Sequence, residues 1–81
     1  MDRLLFISNI KFLRKKKGLT QQQFADQVGI KRSLVGAYEE ERAEPKYDLL
    51  KNIASFFDIT VDDFINESID DKWLAKPKPN Q

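Results

Sequence analysis

The chain has 81 residues, which is the size of one domain. No run approaches the roughly 18 apolar residues that a transmembrane helix needs, so no membrane association is expected. The sequence has no cysteine, which excludes disulfides and thiolate metal sites and fits a cytoplasmic location. It also has no histidine, which excludes a Ser-His-Asp triad and histidine-bound zinc within this chain. The composition therefore argues against an enzyme, and we expect neither a cofactor nor a metal.

The charge is divided unevenly along the chain. Residues 1–38 carry eight cations and two anions, a net charge of +6, whereas residues 39–81 carry six cations and eleven anions, a net charge of −5. A basic half favours a polyanionic partner such as nucleic acid. Charge runs are also common on ordinary solvated faces, so the polarity supports a function only together with a motif.

The first predicted helix runs from Ser8 to about Lys17. Ser8 or Asn9 is a suitable cap for its start, and Gly18 ends it. The segment 4–7 is more apolar than this helix needs. It can extend the helix, pack against the C-terminal tail, or meet a partner chain.

The second and third predicted helices are short and separated by a tight turn. The second covers Gln21–Val28, where Thr20 and Gln23 match the capping-box pattern. Gly29 ends it, with a positive φ expected. The third covers Arg32 to about Glu40.

The apolar residues of this unit can be buried on one side. We assign Phe24, Val35 and Tyr38 to the core. Gly36, in the middle of the third helix, is expected to allow close approach of a neighbouring helix or of DNA. Glutamines, a Lys-Arg pair and small residues at an exposed helix start suit the base edges and phosphates of a DNA major groove. The residues expected to face outward are Gln21, Gln22, Lys31, Arg32, Ser33 and Ala37.

Two further helices are predicted before the character of the chain changes. One follows Pro45 and covers Lys46 to about Phe57, and the other, capped by Thr60, covers Val61–Asn66. No segment alternates with the period of a strand, so we predict an all-α, compact five-helix bundle. Residues 1–66 are predicted as the folded domain and residues 67–81 as a C-terminal tail or interdomain linker, ending in Lys-Pro-Lys-Pro.

Motifs across residues 9–65 resemble the Cro and cI type of helix-turn-helix domain, the XRE-like family of bacterial and phage repressors. They are, in order, IKFLRKKKGLTQQQFA, VGIKRSLVGAYE, Pro45 after a short loop, LLKNIASFF and ITVDDFI. The resemblance implies a lambda-repressor-like bundle whose second and third helices form the helix-turn-helix. The segment DDKWLAKPKP resembles the junction in repressors with a LexA or cI-like peptidase domain, which implies an effector or dimerisation domain beyond Gln81.

The resemblance also assigns roles at the DNA surface. Gln21 matches a phosphate-contacting position, and Lys31, Arg32 and Ser33 match the start of the recognition helix. Arg32 is expected to pair with guanine, a contact that discriminates by about 1–3 kcal/mol. Ala37 is expected to touch a thymine methyl.

Three further positions complete the implied site. Arg14 and Glu39 match an ion pair that ties the first helix to the end of the third. Leu34 replaces a polar residue and is expected to contact a methyl group or a second subunit.

The loop after the third helix departs from the family pattern. Glu41 stands where glycine is usual, so either a left-handed glutamate is tolerated or the helix ends differently. Glu39–Glu44 is acidic and removes phosphate contacts, leaving Arg42 and Lys46 as its candidates for DNA. Tight binding by a monomer is therefore not expected.

The resemblance predicts a transcriptional regulator, most readily a repressor, that binds a double-stranded operator. A homodimer would place two half-sites about 34–36 Å apart. One alternative is a protein-interaction module, such as an antitoxin or adaptor, that docks a partner on the acidic face between Glu39 and Asp71. An inert structural bundle is a second alternative. An enzyme fragment is a third, and the lack of histidine, cysteine and any metal-binding pattern argues most strongly against it.

Overall fold

The computed structural model describes residues 3–76. Within this range the chain is all-helical, as predicted, and no strand occurs. It has one helix more than the five expected, and this helix lies in the segment assigned to the tail. The helices are α1 (Arg3–Lys16), α2 (Gln21–Val28), α3 (Arg32–Glu39), α4 (Tyr47–Phe56), α5 (Val61–Asn66) and α6 (Asp71–Ala75).

A single hydrophobic core joins α1 through α5. Phe24 of α2 is fully buried and stacks on Phe57 with ring centroids 5.6 Å apart. Phe57 follows α4 directly, and Lys46 precedes it, so α4 is one residue shorter at each end than predicted. The other large apolar side chains that are fully buried are Phe6, Ile10, Val35, Ile53 and Phe64.

Helix α1 begins at Arg3, five residues earlier than predicted. Phe6 and Ile7 are buried and continue the apolar face of Ile10 back through the extra turn. Of the three uses considered for segment 4–7, the structure shows the extension of the helix. The expectation that Ser8 or Asn9 caps this helix is therefore wrong, since both lie inside it.

Asn9 instead fastens the chain that follows α5 onto α1. Its side chain is 1% exposed. Its Nδ2 donates to the carbonyls of Phe64 and Glu67, each at 2.8 Å, and its Oδ1 accepts from the amide of Ile69 at 2.9 Å. Because one amide satisfies two carbonyls and one N–H, a segment without regular structure is held against α1 at little polar cost.

The segment after residue 66 therefore continues to pack on the bundle. Ile69 is buried in the core, Asp70 caps α6 by accepting from the amide of Trp73, and Lys16 pairs with Asp71 at 2.6 Å. The extended linker predicted for Lys-Pro-Lys-Pro falls mostly in residues 77–81, which lie outside the described residues.

Helix α3 ends on a left-handed glutamate. Glu41 has φ 63°, its amide donates to the carbonyl of Tyr38 at 3.1 Å, and the amide of Arg42 donates to that of Ala37 at 2.8 Å. These two bonds form a Schellman motif, which usually has glycine at the left-handed position. Of the two alternatives left open by the sequence, a left-handed glutamate is the one present.

We predict that Asn9→Ala destabilises the protein by about 3 kcal/mol, because it leaves three backbone groups without their partner. Asn52→Ala is the matched control, since Asn52 is exposed on α4. Urea unfolding followed by circular dichroism measures both. Equal midpoints for the two variants would contradict the role given to Asn9.

Glu41→Gly is expected to stabilise the fold by about 1 kcal/mol, because glycine carries no Cβ to oppose a positive φ. Glu67→Gly provides the comparison, since Glu67 also ends a helix but has φ −112°. Its replacement should give no gain. Thermal unfolding of the two variants tests this, and a loss of stability in Glu41→Gly would argue against strain at this position.

Candidate nucleic-acid interface

Local hydrogen bonds define both ends of α2. The Thr20 hydroxyl accepts from the amide of Gln23 at 3.0 Å, and the Gln23 side chain accepts from the amide of Thr20 at 2.9 Å. Gly29 has φ 75°, and the amide of Ile30 donates back to the carbonyl of Ala25 at 3.0 Å. These contacts fix both ends of α2 and direct the chain into α3.

Helix α3 is exposed at its start and buried along the rest of its length. Lys31, which precedes the helix, is exposed, as are Arg32, Ser33 and Leu34, whereas residues 35–39 are all buried. The first turn of α3 therefore presents two cations and a hydroxyl to solvent, while its later turns hold it in the bundle.

Ala37 does not face outward as expected, since it is 8% exposed. After α3 the chain turns back across its last turn, where the amide of Arg42 bonds to the carbonyl of Ala37. Sequence periodicity placed Ala37 on the outer face, but the structure buries this position together with the rest of residues 35–39.

Packing of α3 against the other helices does not require a glycine at position 36. A Cβ at this position would meet, beyond the helix's own backbone, only Glu40 Oε2 at 3.8 Å and Gln21 Oε1 at 3.9 Å. Both are the ends of flexible side chains and both contacts are of ordinary length. Close approach of a neighbouring helix, one of the two reasons considered for this glycine, is therefore not present.

A buried ion pair joins α1 to the end of α3. Arg14 Nε and Nη2 donate to the two carboxylate oxygens of Glu39 at 2.7 and 3.0 Å, and Arg14 Nη1 donates to the carbonyl of Leu19 at 2.8 Å. Gln21 Nε2 donates to Glu39 Oε1 at 3.2 Å. The structure thus brings together three of the sequence-predicted site residues, one from each of the first three helices.

The surroundings of Glu39 favour its charged form. Burial on its own raises the pKa of this carboxyl. Hydrogen bonds from Arg14 and Gln21, with the charges of Arg14 and Lys11, outweigh burial, and the pKa lies below its ordinary value. Glu39 therefore stays ionised at neutral pH and keeps the arginine paired.

The remaining candidates lie around this centre. Gln22 is exposed and its Nε2 donates to Asp26 at 2.9 Å. Arg42 is exposed and its Nε donates to Glu40 at 3.1 Å. Lys46 is exposed immediately before α4. The sequence analysis did not predict the pairing of Arg42. The only signal for it was Glu40, two positions earlier in the chain.

Comparison with known proteins agrees with this geometry. A sequence profile of the family described as "Helix-turn-helix" (HTH_3) matches residues 10–64. The chain belongs to the helix-turn-helix family. The matched residues include α2, the turn at Gly29 and α3. Within the described residues, no helix is long and apolar enough to cross a membrane.

Several curated relatives are transcription factors by name. The chain is 45% identical over 58 residues to the uncharacterized HTH-type transcriptional regulator YqaE of Bacillus subtilis, covering 72% of this chain and 50% of that protein. It is 28% identical over 75 residues to the cryptic phage CTXphi transcriptional repressor RstR of Vibrio cholerae, covering 89% of this chain and 68% of that protein. The chain spans about half the length of YqaE and of the regulator YobD.

A solved structure shares the fold. The chain superposes on one from the complex of the SinR and SinI proteins with a TM-score of 0.69, covering 85% of this chain and 71% of that chain. The sequences are 23% identical, so the likeness concerns the fold alone.

We predict that Glu39→Gln lowers the free energy of unfolding at pH 7 by about 3 kcal/mol, because Arg14 stays buried without its counter-charge. A carboxyl with a lowered pKa stabilises the folded state above its unfolded pKa, and this contribution is lost as the pH falls through the folded pKa. The difference in the free energy of unfolding between wild type and Glu39→Gln should therefore shrink on acidification below about pH 4.5.

Urea unfolding from pH 7 down to pH 3 measures this difference. Glu67→Gln is the control, since Glu67 is exposed and its replacement should leave stability nearly unchanged. A difference between wild type and Glu39→Gln that stays constant with pH would contradict the ionised state assigned to Glu39.

Proposed function

We propose that this chain binds double-stranded DNA sequence-specifically and acts as a transcriptional regulator, with repression as its mode. The observation that carries the proposal is the exposed start of α3, where Lys31 just before the helix and Arg32 and Ser33 in its first turn face solvent, whereas residues 35–39 are buried. A helix start that projects from a rigid bundle fits the major groove, and its cations suit guanine edges and phosphates.

The contacts divide into base readout and positioning. Arg32 pairs with the O6 and N7 of guanine, while Lys31 and Ser33 reach neighbouring base edges. Ala37 is left out because its methyl is covered. Phosphate contacts fix the orientation of the domain without reading sequence. The residues that provide them are Gln21, Gln22, Arg42 and Lys46.

The names of relatives support transcriptional regulation, and the name of one of them supports repression. RstR is a transcriptional repressor, and YqaE is a transcriptional regulator. In our proposal the domain represses in the cytoplasm by occupying an operator and excluding polymerase. Its few phosphate contacts favour a homodimer on DNA, with half-sites about 34–36 Å apart.

Fluorescence anisotropy on a randomised duplex of about 30 base pairs, titrated with salt, tests the proposal. The association constant of the wild type should fall linearly in a log–log plot against salt, because bound cations release counterions from DNA. Arg32→Glu should weaken binding about tenfold or more, since a base-reading cation becomes an anion.

Lys72→Glu is the matched control, because it makes the same charge change on α6 at an exposed position. It should bind nearly as the wild type does. Absence of binding by the wild type at low salt and high protein concentration would refute DNA binding and favour a protein partner on the acidic face. A wild type that binds allows its operator to be selected from the random pool.

A further inference from the structure

An acidic side chain lies at the rim of the proposed DNA-binding surface, beside two residues assigned to phosphate. Glu40 directly follows α3, and its Oε1 accepts a hydrogen bond from Arg42 Nε at 3.1 Å. The two side chains are 63% and 62% exposed, respectively, so the pair stands in solvent. Nothing buried locks the arginine into this arrangement.

The other oxygen of Glu40 lies beside Gly36 of α3. Glu40 Oε2 and Gln21 Oε1 both lie within 4 Å of the position that a Cβ on Gly36 would take. A phosphate that contacts Arg42 would therefore meet the like charge of the Glu40 carboxylate paired with it.

We propose that Glu40 is an internal mimic of a DNA phosphate, which occupies Arg42 in the free protein and competes with the duplex for it. The proposal rests on the DNA-binding function above. Carboxylate and phosphate oxygens accept the same charge-assisted bonds from a guanidinium, so the backbone of DNA must displace Glu40 before it gains Arg42.

The exchange alters the salt dependence of binding. A free arginine that neutralises one phosphate releases counterions, which steepens the log–log salt slope by about 0.9. While Arg42 stays paired with Glu40, it neutralises no phosphate and releases no counterion. Arg42 therefore adds little to the slope in the wild type and a full contact once Glu40 is neutral.

The consequence is selectivity. Phosphate contacts bind all sequences alike, so a device that weakens them lowers nonspecific affinity without touching base readout. The domain then depends on Arg32 and its neighbours, and on a second subunit, for tight binding. Glu40 therefore raises the ratio of specific to nonspecific affinity without contacting a base.

The test compares wild type, Glu40→Gln, Arg42→Gln and the double variant on the randomised duplex across a salt series. Glu40→Gln is expected to bind about two- to fivefold more tightly at low salt, the range of an exposed ion pair. Its salt slope should steepen by about 0.9. In the Arg42→Gln background the same replacement should leave the slope unchanged, because no arginine remains to be released.

Glu67→Gln is the control, since it removes one exposed carboxylate at the end of α5. It should leave the slope of the wild type. Three results would each overturn the proposal. The salt slope could stay unchanged in Glu40→Gln, the change in slope could persist in the Arg42→Gln background, or Glu67→Gln could change the slope equally. Circular dichroism checks that the variants share one fold.

The design separates this inference from the proposed function. If the wild type binds, Arg32→Glu abolishes binding and Glu40→Gln has no effect, DNA binding stands and the phosphate mimic fails. If neither the wild type nor Glu40→Gln binds DNA, both fail.

Discussion

The orientation of α3 depends on the buried pair of Arg14 and Glu39. Two charges removed from water are tolerated only when each satisfies the other and the remaining donors find acceptors. Arg14 meets this condition with three bonds, two to Glu39 and one to the carbonyl of Leu19. Arg14 lies on α1, Leu19 precedes α2 and Glu39 ends α3, so these bonds hold the helix-turn-helix against α1.

The same pair connects the interior to the surface. Glu39 accepts from Gln21, so a candidate phosphate contact is oriented by a buried carboxylate. Two residues further on, Glu41 turns the chain back and covers the last turn of α3. What remains exposed is a short basic turn, with Glu40 at the opposite end of the helix. The geometry favours few but directional contacts over a broad basic surface.

Local signals in the sequence were sufficient to predict the helices and the turn of the helix-turn-helix. The capping box at Thr20 and the glycine at position 29 gave α2 its observed bounds, because both act within a few residues. The roles of Asn9 and α6 required knowledge of contacts about 60 residues apart, which periodicity does not carry. Ala37 was placed on the outer face as well, although it is buried, because periodicity does not show how much of α3 the rest of the fold buries. DNA contacts remain predictions because no local pattern distinguishes a ligand-facing side chain from a solvated one.

The three hydrogen bonds from Asn9 to the chain after α5 form a clasp, and this clasp has a consequence for the order of folding. It joins residues separated by 55 to 60 positions, so closing it requires nearly the whole chain to be in place. Loops of this length have a high entropic cost of closure, whereas α2 and α3 meet through a turn of three residues. We therefore expect the helix-turn-helix to form in the folding nucleus and the clasp to form after the transition state. Loosening the clasp would chiefly speed unfolding, so Asn9 governs how long the native state persists more than how fast it is reached.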